Sequence, residues 1–321
     1  MKQKKTNFVA SIIWGLLSLI LIAGLLVFIL PENNPRRANG VQVSVAVPTP
    51  KPEMTEPLIS PPVVGDEKTQ PPQSAVLPGN TVVPEKLLSR GSIDHPLIAI
   101  VIDDMGLDLR DSKRAMLLPA PITLSYMPYA PRLGDQTHDA RDHGHELLLH
   151  MPMEPVGRDD PGPDALLVNL SPDDIRQRFQ TALASFVGFD GVNNHMGSRF
   201  TSDASGMTIV IDELKQRQLF FFDSRTSAKS VGALLARDKG VPTISRDVFL
   251  DDEINTKSID AQLLQTENIA RRRGYAVAIG HPHGVTLDCL ERWSADVTSR
   301  GFTLVPLHDL VYPELVKTHQ E

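Results

Sequence analysis

The C-terminal part of this chain predicts an α/β fold on a parallel sheet, a (β/α) barrel or a near relative, with a doubly wound open sheet as the alternative. Three observations predict it. Short apolar runs alternate with helical stretches from Ile93 to Glu321, about 229 residues, enough for one large domain. The first run, Leu97-Ile98-Ala99-Ile100-Val101-Ile102, is apolar throughout, as strands covered on both faces are. Polar, chemistry-bearing residues recur just after the runs.

Strands are expected at Leu97–Ile102, Ile122–Tyr126, Glu146–Leu149, Gly191–Asn194, Leu219–Phe222, Pro242–Ile244, Ala276–Ile279 and Thr303–Pro306. Helices lie between most of them. One starts at Ser171-Pro172-Asp173-Asp174, with a cap, proline at the first helical position and acids in the first turn. Another runs from about Ile259 to Arg273 and stops at Gly274, a residue suited to a helix C-terminus.

The strand ends carry the chemistry. The first run is followed by Asp103-Asp104, the third by His150, the fourth by His195 and the fifth by Asp223, Ser224 and Arg225. The sixth is followed by Arg246 and Asp247, the seventh by His281 and His283, the eighth by His308 and Asp309. In a parallel sheet the C-terminal strand ends share one face, where such folds bind ligands. Two carboxylates ending a buried strand need a metal, a helix N-terminus or a reaction to justify them, since a buried unpaired charge costs several kcal/mol. The structural alternative for Asp104 is to cap a helix near Leu107.

Asp104, His150 and His195 form a two-histidine, one-carboxylate set suited to a divalent metal, Zn2+ first. Asp103 beside it is placed to act as base toward water. His281 or His283 is placed to protonate a leaving group. Arg199 or Arg225 would hold an anionic substrate or orient the base. Glu154, four residues after His150, is a ligand or a loop salt-bridge partner; Asp223 binds substrate or pairs with Arg225. His145 precedes His150 by five residues, about 17 Å along a strand, and so falls at the opposite end of the barrel. His138, His143 and His308 are read as surface or loop residues.

The N-terminal region is different. After the basic Met1-Lys2-Gln3-Lys4-Lys5, residues Val9 to Leu30 form 22 residues without a charge. A bilayer core needs about 20 apolar residues in a helix. The run is long for a signal peptide and ends Val27-Phe28-Ile29-Leu30-Pro31, a poor cleavage site. It reads as an uncleaved signal anchor. The lysines favour a cytoplasmic N-terminus, and Arg36 and Arg37 weaken that reading without reversing it. The expected organisation is a cytoplasmic N-terminus (1–8), a transmembrane anchor (9–30), a disordered proline-rich linker (31–92) and a folded domain (93–321). In a Gram-negative cell this is a single-pass inner-membrane protein with its domain in the periplasm. The linker, about 60 residues at roughly 3 Å each, reaches beyond 100 Å when extended.

Net charge is −7, with no basic patch, which argues against nucleic acid as partner. Cys289 is the only cysteine, which excludes an internal disulfide and a thiolate zinc cluster.

Together these motifs resemble the polysaccharide deacetylase superfamily (the NodB-homology or carbohydrate esterase group), and most closely its divergent, YibQ-type branch of envelope proteins. The resemblance runs from about Pro96 to Leu310. Ile102-Asp103-Asp104-Met105-Gly106 is similar to the paired-Asp motif, in which the first Asp is base and the second a metal ligand. Gly144 to Glu154 has the position of the motif that supplies two histidines four apart, with Glu154 in place of the second. Ala278-Ile279-Gly280-His281 resembles the motif whose histidine is the general acid. The usual Arg-Pro-aromatic motif is replaced by Asn193-Asn194-His195-Met196-Gly197-Ser198-Arg199, a block typical of the divergent branch. The resemblance implies a distorted (β/α) barrel. It also implies a metal-dependent hydrolase that deacetylates N-acetylated sugars of cell-envelope glycan, with His195 as the replacement imidazole. The competing expectations are an inactive envelope module binding glycan or a protein partner, and a related metal hydrolase of another amide, ester or phosphate.

Overall fold

A computed structural model describes residues 95–119 and 121–312. The expected N-terminus, anchor and linker lie outside the described residues. Among the described residues no helix is long and apolar enough to cross a membrane.

The elements follow one another as β1 (Leu97–Met105), α1 (Leu109–Met116), β2 (Thr123–Tyr126), α2 (Leu133–Asp142), β3 (Glu146–Met153) and α3 (Pro172–Leu183). Then come β4 (Gly191–Met196), α4 (Ala204–Arg217), β5 (Phe220–Asp223), α5 (Gly232–Lys239), β6 (Thr243–Ser245) and β7 (Val248–Phe249). The last are α6 (Thr256–Arg273), β8 (Tyr275–Gly280), α7 (Gly284–Ser294), β9 (Thr303–Leu304) and α8 (Leu307–Val311). The caps are local and chemical. Ser171 accepts from the Asp174 N–H with Pro172 at the first helical position, and Gly274 ends α6 in the left-handed region, both as the sequence predicts. Asp108, not Asp104, caps α1, accepting from the Arg110 and Asp111 N–H groups, so Asp104 is released from that structural role.

The strands pair in parallel in the order β6-β5-β4-β3-β2-β1-β8-β7. The two edge strands, β6 and β7, are joined by Arg246 and Asp247 alone. Three Cα steps span at most about 11 Å, so the sheet curls until its edges stand side by side. No ladder joins them: the Arg246 N–H donates to the Asp223 carbonyl on β5 and the Asp247 N–H to the Val277 carbonyl on β8. The architecture is a parallel α/β half-barrel with a seam between β6 and β7.

Alternation along the strands makes two cores. Ile98, Ile100 and Ile102 pack outward against helix residues such as Phe179, Leu214 and Leu290. Ala99 and Val101 pack inward with Leu148, Phe220, Phe222, Ile244, Tyr275, Val277 and Ile279. Leu307 and Leu310 of α8 join the inner cluster and close one end of it. At that end the buried Glu146 accepts from the Thr123 hydroxyl (2.7 Å) and from the N–H groups of Leu307 (2.6 Å) and His308 (3.0 Å).

One expectation fails here. The eighth strand of the path is β7, not the expected Thr303–Pro306. Two residues carry no readable period, so β7 escapes sequence analysis. The late strand, β9, pairs only with Leu97 and Ile98 at the start of β1 and lies off the path. His308, 3.4 Å from Glu146 at the start of β3, is consequently at the end opposite His150.

Candidate metal centre and active site

The strand ends converge at the open end of the half-barrel. β1 finishes irregularly: its register on β2 shifts between Ile102 and Met105, and Asp104 has φ 55°. On a regular strand two successive side chains face opposite ways. The left-handed residue, which aspartate tolerates better than most, turns Asp104 to the same end as Asp103. Met196 and Arg225, just past the ends of β4 and β5 or at them, are left-handed as well, with φ 49° and 50°.

β3 and β4 lie in register with His150 beside Asn193. Gly191, Asn193 and His195 share the inward face, two residues apart. Gly191 has to be glycine, because a Cβ there would stand 2.5 Å from the Phe220 ring.

Asp104, His150 and His195 offer one ligand atom each within 4.8 Å of one another. Asp104 Oδ1 lies 2.8 Å from His195 Nδ1 and 3.2 Å from His150 Nε2. It is nevertheless buried without a hydrogen bond of regular geometry. Tetrahedral donors about 2.1 Å from an ion stand about 3.4 Å apart, close to these separations. The three residues therefore fit a zinc-type cation. Burial pushes the Asp104 carboxyl up, but His150 and His195 more than offset it and hold it below the usual carboxylate range.

Asp103 is almost fully enclosed. The Asn193 amide donates to its Oδ1 at 2.9 Å, and its Oδ2 is 3.8 Å from His150 Nε2. Burial raises its pKa against the opposing pull of His150, His281 and Asn193. Across the site His281 Nε2 is 3.9 Å from Asp104 Oδ2. Its Nδ1 donates to the buried Asp251 at 3.0 Å, and the other Asp251 oxygen accepts from the His281 N–H (2.7 Å) and the Thr286 hydroxyl (2.8 Å). Burial pulls the His281 imidazole down, but Asp251 first, then Asp103 and Asp104, raise it to about 9. It is a protonated donor at neutral pH. Phe249 packs at 5.2 Å on its ring, and the Arg246 guanidinium stands 5.1 Å over Phe249.

Other expected site residues are occupied elsewhere. Glu154 is not gathered with Asp104, His150 and His195; its oxygens accept from the Val168 N–H (2.7 Å) and Arg199 (2.6 Å). It is the loop salt bridge. Arg199, its partner, is exposed and pairs with Glu154 through one guanidinium nitrogen. Asp223 closes its own loop, accepting from the Arg225 N–H, the Ser230 hydroxyl and the Ala233 N–H. It meets Arg225 through the backbone N–H. Arg225 lends its carbonyl to Arg246. His283 lies near Asp251 and His281 and is exposed. Asp251, His281 and His283 also come close enough for an ion, but both Asp251 oxygens are hydrogen-bonded, the setting of an orienting carboxylate. His145, buried on the Ile122 and Met116 carbonyls, is at the far end as expected.

Sequence reasoning missed Asp251 and Asn193. Asp251 follows a strand too short to see. Asn193 carries no charge, and its only signal is sharing a face with His195.

A sequence profile described as divergent polysaccharide deacetylase matches residues 100–311. Over 194 residues the chain is 36% identical to an uncharacterized protein of Haemophilus influenzae, spanning 60% of this chain and 69% of that one. It is 35% identical over 195 residues to the uncharacterized protein YibQ of Escherichia coli K12, with 61% of each chain covered, so the match spans less than two thirds of that relative. The crystal structure of uncharacterized protein ATU2773 from Agrobacterium tumefaciens C58 is similar at a TM-score of 0.66 and 31% identity, covering 70% of this chain and 94% of that one.

Proposed function

This chain belongs to the divergent polysaccharide deacetylase family, and from that premise we propose that it is a metal-dependent hydrolase removing acetyl groups from N-acetylated sugars of a cell-envelope polysaccharide. In this reading the barrel is of the distorted deacetylase type. Residues 9–30 anchor it in the inner membrane and the domain works in the periplasm, a placement supported by the uncharged 22-residue run behind a basic N-terminus.

The observation that carries the reading is Asp104 Oδ1, buried and unbonded between two imidazoles. Asp104, His150 and His195 would hold the ion. A zinc-type ion in such a site supplies a water acidified to near neutrality and a Lewis acid for the amide carbonyl. Asp103, its pKa raised by burial, takes the proton from the attacking water. His281, kept protonated by Asp251, delivers a proton to the departing amine. Asp103 and His281 are distinct groups on β1 and at the end of β8, so proton removal and proton delivery are assigned to separate residues. Phe249 behind His281 keeps water from the back of the ring.

The test uses the full chain in detergent. Metal content is measured after supply of zinc and other divalent ions, and acetate release is followed with N-acetylated glycan oligomers. About one ion per chain and acetate release, both lost in Asp104→Ala, are expected. A folded protein that takes up no stoichiometric ion sinks the proposal, and glycan binding without acetate release would favour an inactive binding module.

A further inference from the structure

We infer that Asn193 is the positioning residue that assigns different tasks to the two adjacent carboxylates, by tying the base Asp103 and the ligand His150 to one side-chain amide. The inference rests on the proposed reaction.

Asn193 is fully buried in the inner layer, and four hydrogen bonds hold its carboxamide. Its Oδ1 faces the Ser125 hydroxyl at 2.6 Å and His150 Nδ1 at 2.8 Å. Its Nδ2 donates to Asp103 Oδ1 at 2.9 Å and to the Ser224 hydroxyl at 3.1 Å. An ionised carboxylate only accepts, so the nitrogen must face Asp103 and the oxygen must face His150. His150 then carries its hydrogen on Nδ1, and Nε2, beside Asp104, keeps the lone pair a cation needs.

The same amide separates Asp103 from Asp104. Asp103 has one oxygen occupied by Asn193, whereas Asp104 Oδ1 has no hydrogen bond at all. Between two neighbouring acids the unbonded one is free to take the ion, and the tethered one keeps its other oxygen for a proton. A neutral amide is the side chain that suits the place. It donates to one partner and accepts from the other without adding charge to a buried cluster.

Three variants of the full chain separate the two halves of the amide. Asn193→Asp is nearly isosteric, still accepts from His150 and Ser125, and cannot donate to Asp103. It should hold zinc within about threefold of wild type while losing roughly 10²-fold or more in acetate release, the usual weight of a positioned base. Asn193→Ala loses both halves, and zinc affinity should fall about 10- to 100-fold as well. Ser125→Ala leaves the oxygen one donor short and should change both readouts far less. Zinc affinity is measured by competition with a chromophoric chelator. In the metal-free protein, ¹⁵N-histidine NMR at a pH above the His150 titration, which Asp103 and Asp104 raise, reads the tautomer of the neutral ring.

Wild-type His150 protonated on Nδ1, and a tautomer mixture in Asn193→Ala, are expected. If Asn193→Ala does not fold, Asn193→Asp and the wild-type tautomer still decide. A His150 hydrogen on Nε2 in the wild type, or an unimpaired Asn193→Asp, overturns the inference. Absence of zinc uptake and acetate release from the wild type would instead defeat the proposed function, with the tautomer still readable.

Discussion

Replacing Asp251 by asparagine should cripple His281 while leaving the metal ligands in place. Asp251 accepts three hydrogen bonds, two of them from His281. An amide of the same shape has one acceptor oxygen and a donor nitrogen, so at least one donor faces another. Losing one hydrogen bond to a buried charge costs about 1.5–3 kcal/mol, a measurable but survivable loss of stability. The larger effect is on the imidazole. With Asp251 ionised, His281 is raised to about 9 and is almost entirely protonated at pH 7.5. Without that counter-charge it returns toward an ordinary histidine near 6.5, and its protonated fraction at pH 7.5 drops to roughly one tenth. Acetate release at pH 7.5 should therefore fall at least about tenfold, and its alkaline limb should move down by about two pH units. The assays are a pH–rate profile from pH 5 to 10 and an NMR titration of His281 in the metal-free protein. An unchanged alkaline limb, with His281 still titrating near 9 in the variant, would refute the role given to Asp251.

Other substitutions separate structure from site. Glu154→Gln should leave zinc affinity within about threefold of wild type, because that carboxylate is committed to Val168 and Arg199; a loss of the order expected for a ligand's support, about 10-fold or more, would restore it to the site. Phe222→Ala empties the inner layer beneath the site and should lower unfolding free energy by about 3–5 kcal/mol in urea denaturation, against which an effect below 1 kcal/mol would count. His308 is raised to about 10 by Asp309 and then Glu146. Because its folded pKa exceeds the unfolded one, its stabilisation is complete below about pH 6.5 and fades as pH rises toward 10. His308→Gln should flatten the fall of stability across that window in denaturation series at fixed pH, and an identical slope in both proteins would rule the linkage out.

How much of this could be read in the chain follows from what each residue signals. Leu97–Ile102, the Ser171 cap and the Gly274 stop were plain, because burial, capping and left-handed geometry each leave a distinctive residue type. The histidines at strand ends were equally plain, since His150 and His195 stand where apolar runs stop. What escaped was relational. Nothing in Asp103-Asp104 tells that φ turns positive at the second residue and brings both to one end. A two-residue strand hid Asp251, the group that holds His281. Charge alone does not tell partners: Glu154 and Arg199 pair with each other, and Asp223 is hydrogen-bonded within its own loop. Spacing along the chain could not reveal those partners, because Glu154 and Arg199 come from different strand–helix connections.

The seam between β6 and β7 has a mechanical consequence. Asp104, His150 and His195 stand on a continuous run of laddered strands from β1 to β4, which resists distortion. His281 and Asp251 stand on the strip formed by β8 and β7, which meets that run through the β1–β8 ladder and is tied to it elsewhere by the Arg246 backbone and guanidinium on Asp223, Ser224 and Arg225 and by the Arg114–Asp288 pair between α1 and α7. The three candidate ligands thus stand on one unbroken ladder, while His281 and its partner Asp251 are carried by strands that join that ladder in the sheet only through β1.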